Sequence, residues 1–253
     1  MLQSVNDLKG YDIVATDGEI GNIEEFYFDD TNYVIRYIVA NTGSWLTGKQ
    51  NLISPFRITH LDKEARKIQV ALTKEQVINS PSIEKHQPVS RQMEKIVSDY
   101  YGTAYYWDDR PDLNPSQLAI TNAAAATVKS AMTTQSVIST EAQPDVHLQS
   151  IQEIAGYEIA ALDGLIGTVE DFVLETDDWK IHYLTIDTGN WLPGKHVLIS
   201  AGWVNQINWS HRKVTINLTR QQIENSPDFD KVNQITREYE TRLRNHYNYN
   251  ATE

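Results

Sequence analysis

The chain has 253 residues, no cysteine and a formal net charge of −12. That charge disfavours a nucleic-acid backbone or an anionic lipid surface as partner, since both call for a basic face, and Arg57, Arg66 and Lys67 are too few to make one. Without cysteine there is no disulfide, thiolate metal site or cysteine nucleophile, which fits a reducing compartment. No stretch approaches the roughly 18 apolar residues of a membrane-spanning helix, and no basic-then-apolar signal pattern opens the chain. A soluble, cytoplasmic protein without membrane insertion or direct nucleic-acid binding is expected.

Leu2 to Pro81 lies over Leu148 to Pro227 without a gap, at a constant offset of 146, with 32 of 80 positions identical. A unit copied whole in this way is a complete domain, and the two copies act as controls for each other. Within each copy the apolar residues alternate, which means strands. Tyr11, Ile13 and Ala15 lead into Asp17-Gly18, a hairpin-turn dipeptide. Ile20, Ile23, Phe26 and Phe28 follow, with a slip of parity at Glu24-Glu25 that recurs at Glu170-Asp171. A β-bulge explains the slip, and the acids there read as a solvated, charged edge. Asp29-Asp30-Thr31-Asn32 is a turn, and its acids, like the Asp177-Asp178 pair in the second copy, are turn formers rather than a calcium loop, which would need about six oxygen ligands.

Tyr33, Ile35, Tyr37 and Val39 mark one face of the next strand, as Trp179, Ile181 and Tyr183 do in the second copy. Ile68, Val70 and Leu72, matched by Val214, Ile216 and Leu218, form the last. Five or six short strands in about seventy residues predict a small, partly open barrel. Thr73-Lys74-Glu75-Gln76 and Thr219-Arg220-Gln221-Gln222 each read as a capping box, and Asn79-Ser80-Pro81 ends the short helix that follows. Beyond it, Met93, Ile96, Val97, Tyr100 and Tyr101 make a helical stripe stopped by Gly102; Phe229, Val232, Ile235, Tyr239 and Leu243 make another. The fold class is therefore mainly β with flanking helices. The expected division is residues 1–82 for the first barrel, 83–107 for a helical and aromatic extension, 108–147 for a linker, 148–228 for the second barrel and 229–253 for a C-terminal helix. Inside the linker, Gln117 to Met132 has helical character.

Taken together, the Asp-Gly-x-Ile-Gly turn, the Thr-Gly-x-Trp-Leu-x-Gly-Lys loop and the Ser-Pro ending resemble the PRC-barrel domain. That β-barrel is shared by the cytoplasmic part of the photosynthetic reaction-centre H subunit and the ribosome-maturation factor RimM. The tail from His86 through Tyr105-Tyr106-Trp107 resembles the one found in free-standing bacterial members. The resemblance implies two PRC-type barrels and carries over no catalytic residue. By analogy alone it raises an accessory role at a photosynthetic reaction centre or in ribosome assembly.

Gly43 to Lys49 contains Gly-x4-Gly-Lys, most of a phosphate-binding loop. Gln50 and His196 stand where a magnesium-binding Ser or Thr belongs, a strand follows instead of a helix, and Pro193 removes an amide, so the match is a decoy. The loop reads better either as a contact surface built on Trp45, Leu46, Trp191 and Leu192 or as a plug for its own barrel. Tyr100, Tyr101, Tyr105, Tyr106 and Trp107 form the richest apolar patch outside the barrels, either packed on a barrel or open to a partner. The seven histidines show no ligand spacing, and Ser54 and Ser200 have no evident base. No catalytic, metal or cofactor site is expected. The leading expectation is a non-enzymatic interaction or assembly module with a protein partner, its barrels pairing within the chain as a pseudo-dimer or within a homo-oligomer. The alternative is a small-ligand sensor with a pocket between the barrels lined by Tyr37, Tyr183, Trp45 and Trp191.

Overall fold

A computed structural model describes residues 1–43, 50–83, 89–103, 105–109, 146–189, 191–229 and 235–250. Most of the linker, Gln117 to Met132 included, therefore lies outside the described residues, as do Trp45 and Leu46. The chain opens with β1 (Leu2–Ser4) and a single turn, α1 (Val5–Leu8). The first repeat continues through β2 (Asp12–Ala15), β3 (Gly18–Asp29), β4 (Val34–Asn41), β5 (Gln50–Ile53), β6 (Ile58–Asp62) and β7 (Lys67–Val70). After α2 (Lys74–Ile78) come the short β8 (Ser82–Ile83) and β9 (Val89–Ser90), then α3 (Arg91–Tyr101) and α4 (Tyr106–Asp109). The second repeat repeats the order: β10 (Val146–Ser150), α5 (Ile151–Ile154), β11 (Glu158–Ala161), β12 (Gly164–Glu175), β13 (Lys180–Asp187), β14 (His196–Ser200), β15 (Val204–Asn208), β16 (Lys213–Ile216), α6 (Arg220–Glu224) and α7 (Arg237–Asn250).

These elements form two compact units, and the units do not follow the contiguous division expected from sequence. One comprises Gly10–Ser150; the other comprises Met1–Lys9 together with Ile151–Glu253. The opening strand of each repeat has gone to the other repeat's barrel. The cause lies in the longest strand of each. β3 runs for 12 residues and pairs β4 along one edge from Asn22 to Asp29. On its other edge the short β2 reaches only from Gly18 to Asn22, which leaves Tyr27 to Asp29 open. β10 fills that stretch, with Leu148 opposite Asp29 and Ser150 opposite Tyr27. Likewise β11 covers Gly164 to Thr168 of β12, and β1 takes the remainder, with Leu2 opposite Glu175 and Ser4 opposite Val173. An open row of backbone donors and acceptors is thereby closed in each barrel.

Within each unit the rest follows the pattern of the sequence. β7 lies parallel to β2 and β16 parallel to β11, and each curled sheet stays open. The bulges fall where the parity slipped, between Ile23 and Glu25 and between Val169 and Asp171. Both capping boxes are formed, Thr73 with Gln76 and Thr219 with Gln222. The Asp-Gly turns have a second use: the Asp17 and Asp163 carboxylates accept the first helical amides, from Lys74 (2.8 Å) and Arg220 (2.7 Å). Phe26, Phe28, Ile13, Ile38 and Leu52 fill the first-repeat core, and Tyr157, Ile159, Phe172, Ile186 and Leu198 the second.

Two expectations need correction. Tyr33 and Trp179 do not begin strands; they sit at φ 58° and 57°, closing tight turns in which their amides donate to the Asp29 and Glu175 carbonyls at 2.8 Å. Glu25 is not part of a solvated edge, because it is fully buried.

Candidate functional site

The burial of Glu25 is explained by the exchanged strand. Ser150, arriving on β10, donates its hydroxyl to the Glu25 carboxylate, while the Gln149 amide reaches Asp30 at 3.4 Å. The second-repeat unit builds the same joint from the twins: Ser4, on β1, donates its hydroxyl to Asp171. The bulge turns the acid toward the docking strand, and the strand's last residue supplies the hydroxyl that meets it. Asp171 also accepts the Asn6 amide at 3.2 Å, while Ser4 caps α1 by accepting the Asp7 amide at 3.3 Å. The N-terminal ammonium sits against Glu175, and the Thr176 amide donates to the Met1 carbonyl at 3.2 Å.

Burial pushes the Asp171 carboxyl up to about 6, against the hydrogen bonds from Ser4, Phe172 and Asn6 and the Lys9 charge, which favour the ionised form. A folded-state value above the unfolded one means the native protein binds the proton more tightly. The contribution to stability is then fullest below the ordinary carboxylate range and is lost as pH rises through about 6. Asp171→Asn is therefore expected to gain on the wild type as pH rises. In urea titrations the difference between the two should open between about pH 4 and pH 7 toward ~3 kcal/mol, since each tenfold gain in proton affinity is worth about 1.4 kcal/mol. A constant difference across that window contradicts the assignment.

The aromatic tail of the first repeat is folded onto charged groups. Arg91 donates to Glu94 at 3.2 Å and to the Tyr106 hydroxyl at 3.0 Å, and Tyr106 donates to Glu94 at 2.8 Å. The Arg36 guanidinium lies 3.7 Å from the centre of the Tyr106 ring and donates to Asp29 at 3.2 Å. Burial opposes ionisation of Asp29, yet the Asn32 amide, the Arg36 charge and the Thr31 amide hold its carboxyl below the usual carboxylate range. So the Asp29 turn organises a buried ion pair as well as a hairpin. Tyr101 and Tyr106 are buried; Trp107 and Tyr105 are half-buried and stack at 5.0 Å, with Arg91 over Trp107. Tyr100 is 40 % exposed although its hydroxyl donates to the Gln76 carbonyl.

At the same offset of 146 the C-terminal helix carries the twins Arg237, Glu240 and Tyr247 of Arg91, Glu94 and Tyr101. Tyr247 is buried and donates to the Leu198 carbonyl at 3.0 Å, and Glu240 accepts the Tyr183 hydroxyl at 3.0 Å. The repeat thus extends through the helices, a correspondence that low identity in this stretch had hidden. Tyr37 and Tyr183, expected to line a ligand pocket, are both buried in their own units.

In the second copy Trp191 and Leu192 are half-buried, and Arg220 stacks on the Trp191 ring at 4.8 Å. Lys195 donates to the Glu224 and Ser226 carbonyls at 2.5 and 2.8 Å, binding the end of α6, and β14 follows directly. Its ammonium is engaged by backbone carbonyls, and a strand stands where a phosphate loop needs a helix. The Thr188 hydroxyl accompanies it, 2.7 Å from both the Leu192 and the Lys195 carbonyl, which share its one proton.

No curated protein matches the chain significantly. A family model for the PRC-barrel domain matches residues 3–77 and again residues 149–223. Each match begins on an exchanged strand, so the family's sequence unit includes the strand that this chain gives away. With both repeats matched and both forming open, curled β-sheets closed by a capped helix, the chain belongs to the PRC-barrel family, as a tandem member.

Proposed function

We propose that the chain is a non-enzymatic interaction or assembly module whose two PRC barrels are interlocked as a pseudo-dimer. The observation that carries this reading is the reciprocal exchange of Leu2–Ser4 and Leu148–Ser150, each completing the barrel of the other repeat. A barrel that needs its neighbour's strand is suited to presenting two linked surfaces to a protein partner. The half-buried Trp191, Leu192, Tyr105 and Trp107 and the exposed Tyr100 provide aromatic and apolar contacts of the kind interfaces favour. The charged groups that could have served chemistry, Asp29, Arg36, Arg91 and Glu94, bind one another, which supports a structural role for them.

The natural lack of cysteine gives a direct test. Because Thr176 and Met1 are hydrogen-bonded across the strands, the next pair, Leu2 with Glu175, is a non-hydrogen-bonded one, with Cα atoms about 4.5 Å apart. That spacing suits a disulfide. The Leu2→Cys, Glu175→Cys chain is expected to oxidise to a monomer bearing one internal disulfide, seen by intact mass and by faster migration without reductant. Two free thiols after oxidation would refute the exchange, and the interlocked reading with it.

A further inference from the structure

The exchanged strands have the same sequence. Leu2-Gln3-Ser4-Val5 and Leu148-Gln149-Ser150-Ile151 share three residues and end on an aliphatic β-branched one. They dock in the same register, since Glu175 and Asp29, the partners of Leu2 and Leu148, are themselves twins. Each serine meets a carboxyl set by a bulge, Asp171 or Glu25. Two seams in one molecule therefore recognise one ligand by one rule: ladder bonds along the free half of the long strand, and a hydroxyl at the third position. We infer that the seam along β12 is a binding site for an extended Leu-Gln-Ser-aliphatic strand, and that its alternative occupant is the opening segment of a second copy of this chain.

The inference rests on the interlocked reading above and goes one step beyond it. No contact in the seam depends on whether the strand is attached in cis or in trans. The segment that would move is Met1–Lys9, which belongs to the second-repeat unit, whereas the chain from Gly10 onward belongs to the first. Gly10 adopts φ 77° with open space around it, a natural hinge. Val5 and Leu8 are fully buried and would travel with the strand. β1 is also the more weakly held of the two: it pairs β12 alone among the described residues, while β10 has β3 on one edge and β9 on the other. Exchange between chains makes the same contacts as exchange within one, so protein concentration decides between them. Tethering gives the cis strand an effective concentration on the order of millimolar.

The test uses two full-length chains, each with one cysteine. Leu2→Cys and Glu175→Cys are mixed, refolded together from urea across a range of concentrations and oxidised; a size tag on one chain distinguishes the products. A disulfide between them forms only when the strand of one docks on β12 of the other. The control replaces Glu175→Cys by Leu162→Cys, on an exposed turn well away from residue 175 in the β12 register. The expected result is a mixed dimer that increases with concentration to at least tenfold over the control. Adding Ser4→Asp to the Leu2→Cys chain should then lower it about tenfold, by setting a second carboxylate against Asp171 while preserving an N-cap for α1. Mixed dimer no more abundant than the control overturns the inference. If the internal disulfide of Leu2→Cys, Glu175→Cys still forms in that case, the interlocked reading stands and only trans occupancy is lost; if both fail, the exchange itself is wrong.

Discussion

Arg36→Met is expected to lose about 3–5 kcal/mol of stability, the usual cost of stranding one member of a buried ion pair. Asp29 and Arg36 retain 4 % and 3 % of their side-chain exposure, so neither can recover hydration when the other is removed. The guanidinium has a second duty as the surface beneath the Tyr106 ring, and its loss also loosens α4. Urea titration measures the total, and hydrogen exchange localises it: amides of β3 and β4 should exchange faster, while those of β12 and β13 change little. A second substitution, Asp29→Asn, should restore part of the loss, because the remaining amide no longer carries an unpaired charge. Lys67, whose partners Asp12 and Glu19 are exposed, offers the contrast; Lys67→Ala should leave stability nearly unchanged. Full stability in Arg36→Met would mean that the pair contributes nothing.

Gly167→Ala and Gly21→Ala should each cost about 3 kcal/mol, for a reason of space as much as of backbone freedom. A Cβ on Gly167 would lie 2.0 Å from the Asp187 carbonyl oxygen, and one on Gly21 would lie 1.9 Å from that of Asn41. Both obstacles are backbone, held in the ladders that join β12 to β13 and β3 to β4. Relief requires the two strands to part just before the bulge that sets Asp171 or Glu25. Gly10→Ala supplies the comparison: its φ is 77° but nothing lies within 4 Å, so only the backbone cost of about 1 kcal/mol remains. Equal losses at Gly10 and Gly167 in denaturant titrations would remove the steric explanation.

The features that local chemistry determines were legible in the sequence. A slip of parity can only be a bulge, Thr-x-x-Gln before an apolar residue can satisfy two amides at once, and Gly-x4-Gly-Lys followed by an alternating run cannot open a helix. What escaped depends on partners distant in sequence. Glu25 looks like an edge acid until Ser150 arrives from 125 residues away. The exchange itself was hidden by the duplication, since identical Leu-Gln-Ser segments suit either barrel equally well and periodicity cannot say which one receives them. The ion pair between Asp29 and Arg36 was invisible for another reason. Its twins are Glu175 and His182, so agreement between the copies gave no hint of it.

The exchange also fixes an order of events during synthesis. Leu2–Ser4 leaves the ribosome well ahead of its partner, because the β12 edge that receives it is made only after the entire first repeat and the linker. At roughly 5–20 residues per second, the opening strand waits on the order of ten to thirty seconds with no partner. The first-repeat barrel waits in turn, because the edge of β3 stays open until Ser150 has been translated. A nascent chain arrested within the linker therefore exposes an unfilled strand edge and an unplaced strand together, the combination on which folding helpers act and from which aggregates grow.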